Sequence, residues 1–66
     1  MNYNKGMENQ PRPYTASSLA RAAGVSVVYI ARLCRQGKLR AMKLKSVWLI
    51  PREAGDAWLE ARKREP

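Results

Sequence analysis

The sequence predicts a mainly α domain, three short helices joined by a small two-stranded β-hairpin. Three observations carry that expectation. Apolar residues recur at helical spacing in Ala16–Ala23 and in the stretch Ser26–Gly37, and each run is closed by a glycine, Gly24 or Gly37. After Gly37 the period changes, and Leu39–Leu44 and Val47–Ile50 form short apolar-rich runs on either side of Lys45-Ser46. Pro51 then ends the second run and opens a third helical stretch, Arg52–Arg64.

The chain of 66 residues is long enough for one small domain with a thin core. Residues 1–13 lack apolar periodicity and are rich in Asn, Gly and Pro, so a flexible N-terminal tail is expected there and the folded domain over 14–64. Pro11 and Pro13 oppose a helix starting before residue 14. The first helix then has Thr15 as its N-cap and Ala16, Leu19, Ala20 and Ala23 on one face. Only Gly24, Val25 and Ser26 separate it from the second, which predicts a steep crossing with Val25 plugging the elbow. In the second helix Ser26 is the N-cap. Ile30, Leu33 and Cys34 share the core face, and Val28, Ala31, Arg32 and Arg35 fall opposite them.

In the hairpin, alternation is expected to turn Trp48 and Ile50 to the core, with Leu39 and Met42 or Leu44 opposite them. Val47 and Leu49 are then partly exposed, and Lys43 and Lys45 point outward near the tip. There the lysines guard an edge strand, contact phosphate, or do both. The third helix carries Glu53 and Asp56 early and Arg62, Lys63 and Arg64 late, the order that complements the helix dipole. Gly55, Trp58, Leu59 and Arg62 share a face, with Trp58 expected as a core anchor.

Composition narrows the function. Cys34 is the only cysteine and there is no histidine, so neither a disulfide framework nor a zinc site is expected, and no cofactor is implied. A reduced core cysteine and the lack of a membrane-length apolar run predict a cytoplasmic protein. No catalytic constellation or nucleotide-binding loop stands out, so an enzyme is not expected. The net charge is +8, and it is segregated: residues 14–50 carry seven basic side chains and no acidic one, whereas 51–66 carry four of each. A polyanion is the natural partner of such a surface.

The residue types suit duplex DNA. The first turn of the second helix, with Ser26 and Val27, offers backbone N–H groups to phosphate. Val28 and Ala31 match thymine methyl groups, Arg32 and Arg35 match guanine or phosphate, and Tyr29 can hydrogen-bond phosphate from the flank. Arg40, Lys43 and Lys45 form a second contact from the hairpin to a minor groove. Thr15 and Ser17 sit where a helix start meets backbone phosphate, although capping alone explains Thr15 and Ser26 equally well.

Tyr14–Leu59 resembles the small winged helix-turn-helix domain of MerR-like and phage excisionase-like DNA-binding proteins. The resemblance rests on Tyr14-Thr15-Ala16 with Leu19-Ala20, on Gly24-Val25-Ser26, and on Ile30, Arg32, Leu33, Arg35, Gly37 and Leu39. Trp48, Ile50, Pro51 and Trp58-Leu59 extend it. It implies the second helix in the major groove and the hairpin as a wing along the neighbouring minor groove. Three positions depart from the pattern: Lys45 stands where a wing-tip glycine is common, Ser18 where a capping glutamate is common, and Gly55 where a large aliphatic residue is usual. The MerR-type dimerisation helix and effector domain find no counterpart in these residues, so effector sensing is not implied. The expectation is a small sequence-specific double-stranded DNA-binding protein. It would be a transcription regulator or an excisionase-like recombination factor, with cooperative self-association on repeated half-sites. The competing expectation is a protein-interaction module whose exposed Val47 and Leu49 bind an acidic partner such as a recombinase or polymerase subunit.

Overall fold

The computed structural model describes residues 12–64, so nearly all of the expected tail lies outside the described residues. The elements run β1 (Tyr14–Thr15), α1 (Ala16–Ala23), α2 (Val27–Arg35), β2 (Met42–Leu44), β3 (Val47–Ile50) and α3 (Arg52–Arg64). Three helices and an antiparallel sheet of order β1-β3-β2 make up the domain, a helical body with a wing-like hairpin. The sheet gains a third strand because Tyr14 and Thr15 pair with Ile50 and Leu49. Two residues are too few to show a period of two, so this strand leaves no trace in the sequence pattern.

Local chemistry sets the helix ends. Thr15 Oγ1 accepts from the Ser18 N–H at 3.0 Å, and the Thr15 N–H donates to Ser18 Oγ at 2.9 Å. This is a capping box closed by serine where the resembling families use glutamate, and such a cap stabilises by ~1 kcal/mol. At the other end Gly24 takes φ 73°. Its left-handed backbone lets the Val25 N–H reach the Ala20 carbonyl at 3.0 Å and its own N–H reach that of Arg21 at 3.3 Å. Helix α2 repeats the scheme, with Ser26 Oγ accepting from the Tyr29 N–H at 3.1 Å. Its exit is at Gly37, where the Lys38 N–H donates to the Leu33 carbonyl at 2.9 Å. The chain therefore turns from α1 into α2 without a long loop, and α2 cannot run on.

The core lies where α1, α2 and the sheet meet. Leu19, Ile30 and Ile50 are fully buried, and Ala16, Ala20, Leu33, Cys34 and Leu39 surround them. The small side chains of Ala16 and Ala20 let α1 pack closely. Burial pushes the Cys34 thiol above its ordinary pKa, so it stays protonated at neutral pH. Val25 packs in the elbow as expected, and Trp48, Trp58 and Leu59 are half-buried at the margin of the core.

The hairpin corrects two expectations. Met42 and Leu44 do not face the core; they are 62% and 56% exposed. Lys43 does not point away from the core face either: it pairs with Trp48 and lies with Nζ 5.2 Å from the ring centroid. Both errors have one cause. The strand starts at Met42, not Leu39, because the chain leaves α2 through a turn in which the Leu39 N–H donates to the Leu33 carbonyl at 3.3 Å. Leu39 is buried there without belonging to the strand; alternation counted from it runs to Ala41 and Lys43, the observed core-side phase, so grouping it with Met42 or Leu44 mixed the two faces. At the tip, Lys45 has φ 58°, a left-handed conformation that favours glycine. Lys45→Gly should therefore raise stability by about 0.5–1 kcal/mol after the entropy of the unfolded glycine is subtracted, read as a higher urea midpoint.

Helix α3 is held by a cluster around Tyr14. The Tyr14 hydroxyl donates to Asp56 Oδ1 at 2.5 Å, and the Arg52 guanidinium lies 4.3 Å from the ring centroid. Gly55 is buried beneath that ring. A methyl group there would fall 2.6 Å from Tyr14 Cε2, well inside contact distance. The tyrosine thus occupies the space that a large residue at position 55 would need. Gly55→Ala is expected to destabilise by about 1–3 kcal/mol, and combining it with Tyr14→Ala should cost less than the sum of the two single changes. Thermal unfolding of the four forms checks this.

Candidate nucleic-acid interface

Charge on this fold is divided between elements. Every acidic side chain among the described residues lies on α3: Glu53, Asp56 and Glu60. The one ion pair among the described residues is Lys63 with Glu60, at 4.0 Å. Arg32 and Arg35 project from the exposed face of α2 and have no carboxylate partner among these residues. Among the described residues nothing neutralises their charge.

The exposed face of α2, the start of α1 and the wing enclose a cleft of about 390 Å³. Six of the expected contact residues line it: Thr15, Ser17, Val27, Ala31, Arg35 and Lys43. Four separate elements supply them, β1, α1, α2 and β2, and the tight α1–α2 turn and the pairing of β1 and β2 with β3 bring them together. The cap hydroxyls are engaged as acceptors, since Thr15 Oγ1 and Ser26 Oγ each take a backbone N–H. An accepting hydroxyl still carries its own proton, so capping and donation to an anion are compatible.

The other expected residues lie around this cleft or away from it. Val28 is 67% exposed on the first turn of α2, and Tyr29 and Arg32 are also exposed. Lys45 stands at the hairpin tip. Arg40 is not brought to the cleft; it borders a groove on the opposite side of the sheet with Ala41, Met42 and Leu49. Two polar or aromatic cleft residues were missed in the sequence, Ser46 and Trp48. Trp48 packs against the core and also lines the cleft beneath Lys43, a double position that alternation does not reveal. The usable signal was alternation counted from Leu39, which carries Lys43 to the face that Trp48 shares.

A cationic helix face beside a cationic wing, set about a concave surface, matches an anionic, ridged partner in shape and sign. A family model described as a helix-turn-helix domain matches residues 13–63. No curated protein and no solved structure shows a significant match to the chain.

Proposed function

The chain belongs to this helix-turn-helix domain family, whose members bind DNA, and on that premise we propose that it reads duplex DNA in a sequence-specific manner. Helix α2 enters the major groove. Arg32 and Arg35 contact guanine or phosphate, Val28 and Ala31 meet thymine methyl groups, and the N–H groups around Val27 with the Ser26 hydroxyl meet a phosphate. Thr15, Ser17 and Tyr29 hold the flanking backbone, and the hairpin brings Lys43 and Lys45 to the adjacent minor groove. Arg40, on the far side of the wing, contributes through the general field rather than through the cleft. The protein acts on DNA as a transcription regulator or as an excisionase-like recombination factor, and cooperative self-association on repeated half-sites supplies part of its affinity. No helix among the described residues is long and apolar enough to cross a membrane.

The observation that carries this reading is the cleft in which Arg35 of α2 and Lys43 of the wing share one surface with two helix starts. Its test is a gel-shift series in rising salt on a duplex selected from a random pool. Neutralising about five phosphates gives a log–log slope near −4.5. Absence of duplex binding even at low salt would overturn the reading.

A further inference from the structure

The wing has two faces of opposite chemistry, and the cleft borders mainly one of them. Register places Lys43 and Trp48 together on the cleft side. Met42 pairs with Leu49 and Leu44 with Val47, so Met42, Leu44 and Leu49 belong to the outer face, while Val47, next to the tip, also borders the cleft. Met42 and Leu44 are 62% and 56% exposed, and beside them a groove of about 320 Å³ runs along Ala41, Leu49 and Pro51. The sheet order β1-β3-β2 leaves β2 at the edge, without a pairing partner on its far side among the described residues. A short, apolar, unpaired edge is a template for another strand.

We infer that β2 and the outer face of the wing dock an extended acidic segment of another protein, independently of the DNA cleft. Charge selects this occupant. Arg40, which stands off the DNA cleft, lies just ahead of β2 beside this groove, and the sequence from residue 14 to 50 contains no carboxylate to answer it. A second copy of the chain would bring another net charge of +8 to the same edge, which opposes pairing of like with like. The fitting segment has two apolar side chains at alternate positions, which pack beside Met42 and Leu44 on one face. A carboxylate beside them meets Arg40, and the residue between them is uncharged and small, opposite Lys43.

The test uses a synthetic peptide with two valines flanking a threonine and aspartates at both ends, titrated into isotope-labelled protein with and without saturating duplex. Amide shifts are expected at Met42, Lys43 and Leu44 in both titrations. Replacing the aspartates by asparagine should weaken binding by about fivefold. The double change Met42→Thr with Leu44→Thr should weaken it by about tenfold while DNA affinity stays within about twofold. No peptide binding, equal binding of the asparagine peptide, displacement of DNA by the peptide, or pairing of the protein with itself through β2 would each overturn the inference. Peptide binding without any duplex binding would sustain it and remove the DNA reading instead.

Discussion

Ile30→Ala is expected to leave most of the chain unfolded at 25 °C. Ile30 is fully buried at the junction of α1, α2 and the sheet, in a core of only eight buried hydrophobic residues among those described. Truncating such a side chain costs about 2–5 kcal/mol, through lost burial and the cavity left behind. A domain of this size rarely holds more than about 3–5 kcal/mol from a single core. The loss is therefore comparable to the whole stability, and far-ultraviolet circular dichroism should show it without denaturant. Val28→Ala, two residues earlier and 67% exposed, is the matched control, and its change should stay within about 0.5 kcal/mol. If the two variants had equal midpoints, the assignment of the buried face of α2 would be wrong.

The second large effect is on binding. The double variant Arg35→Ala with Lys43→Ala should lose about 2–4 kcal/mol of affinity for the selected duplex, roughly 30- to 1,000-fold. Both side chains are exposed, line the same cleft and lack an acidic partner among the described residues, so removing them leaves the core intact. If both contact phosphate, the salt slope should flatten by about 1.8; if Arg35 reads guanine, discrimination at one base pair should relax instead. Arg40→Ala removes the same charge from the far side of the wing and should cost less. Fluorescence anisotropy on matched and mismatched duplexes checks all three. An Arg40 effect as large as that of Arg35 would mean the cleft is not the reading surface.

The helices were legible because their ends are written locally. Thr15, Ser26, Gly24 and Gly37 act through hydrogen bonds within a few residues of themselves, and Ala16–Ala23 and Arg52–Arg64 match the expected spans. The hairpin was legible in place but not in phase. Alternation puts Leu39, an odd number of residues before Met42 and Leu44, on the opposite face from both, and their shared apolar character hid that. Strand β1 was invisible because its only evidence is a partner 34 residues away or more. The cleft was half legible for the same reason. Arg35 and Lys43 could be named from charge, but their meeting, and the separation of Arg40 from them, follow from pairing across the sheet. The departure at Gly55 likewise became intelligible only once Tyr14 was seen to fill the space above it.

The glycine that halts α2 has a further consequence. Nine residues at 1.5 Å each make a rod about 13.5 Å long, and at about 3.4 Å per base step it spans roughly four steps of a duplex. A word that short recurs by chance every few hundred base pairs, so one such rod cannot single out an address in a genome. On the proposed reading, selectivity in a cell would then come from counting: several short words at a fixed distance, each too common to matter alone.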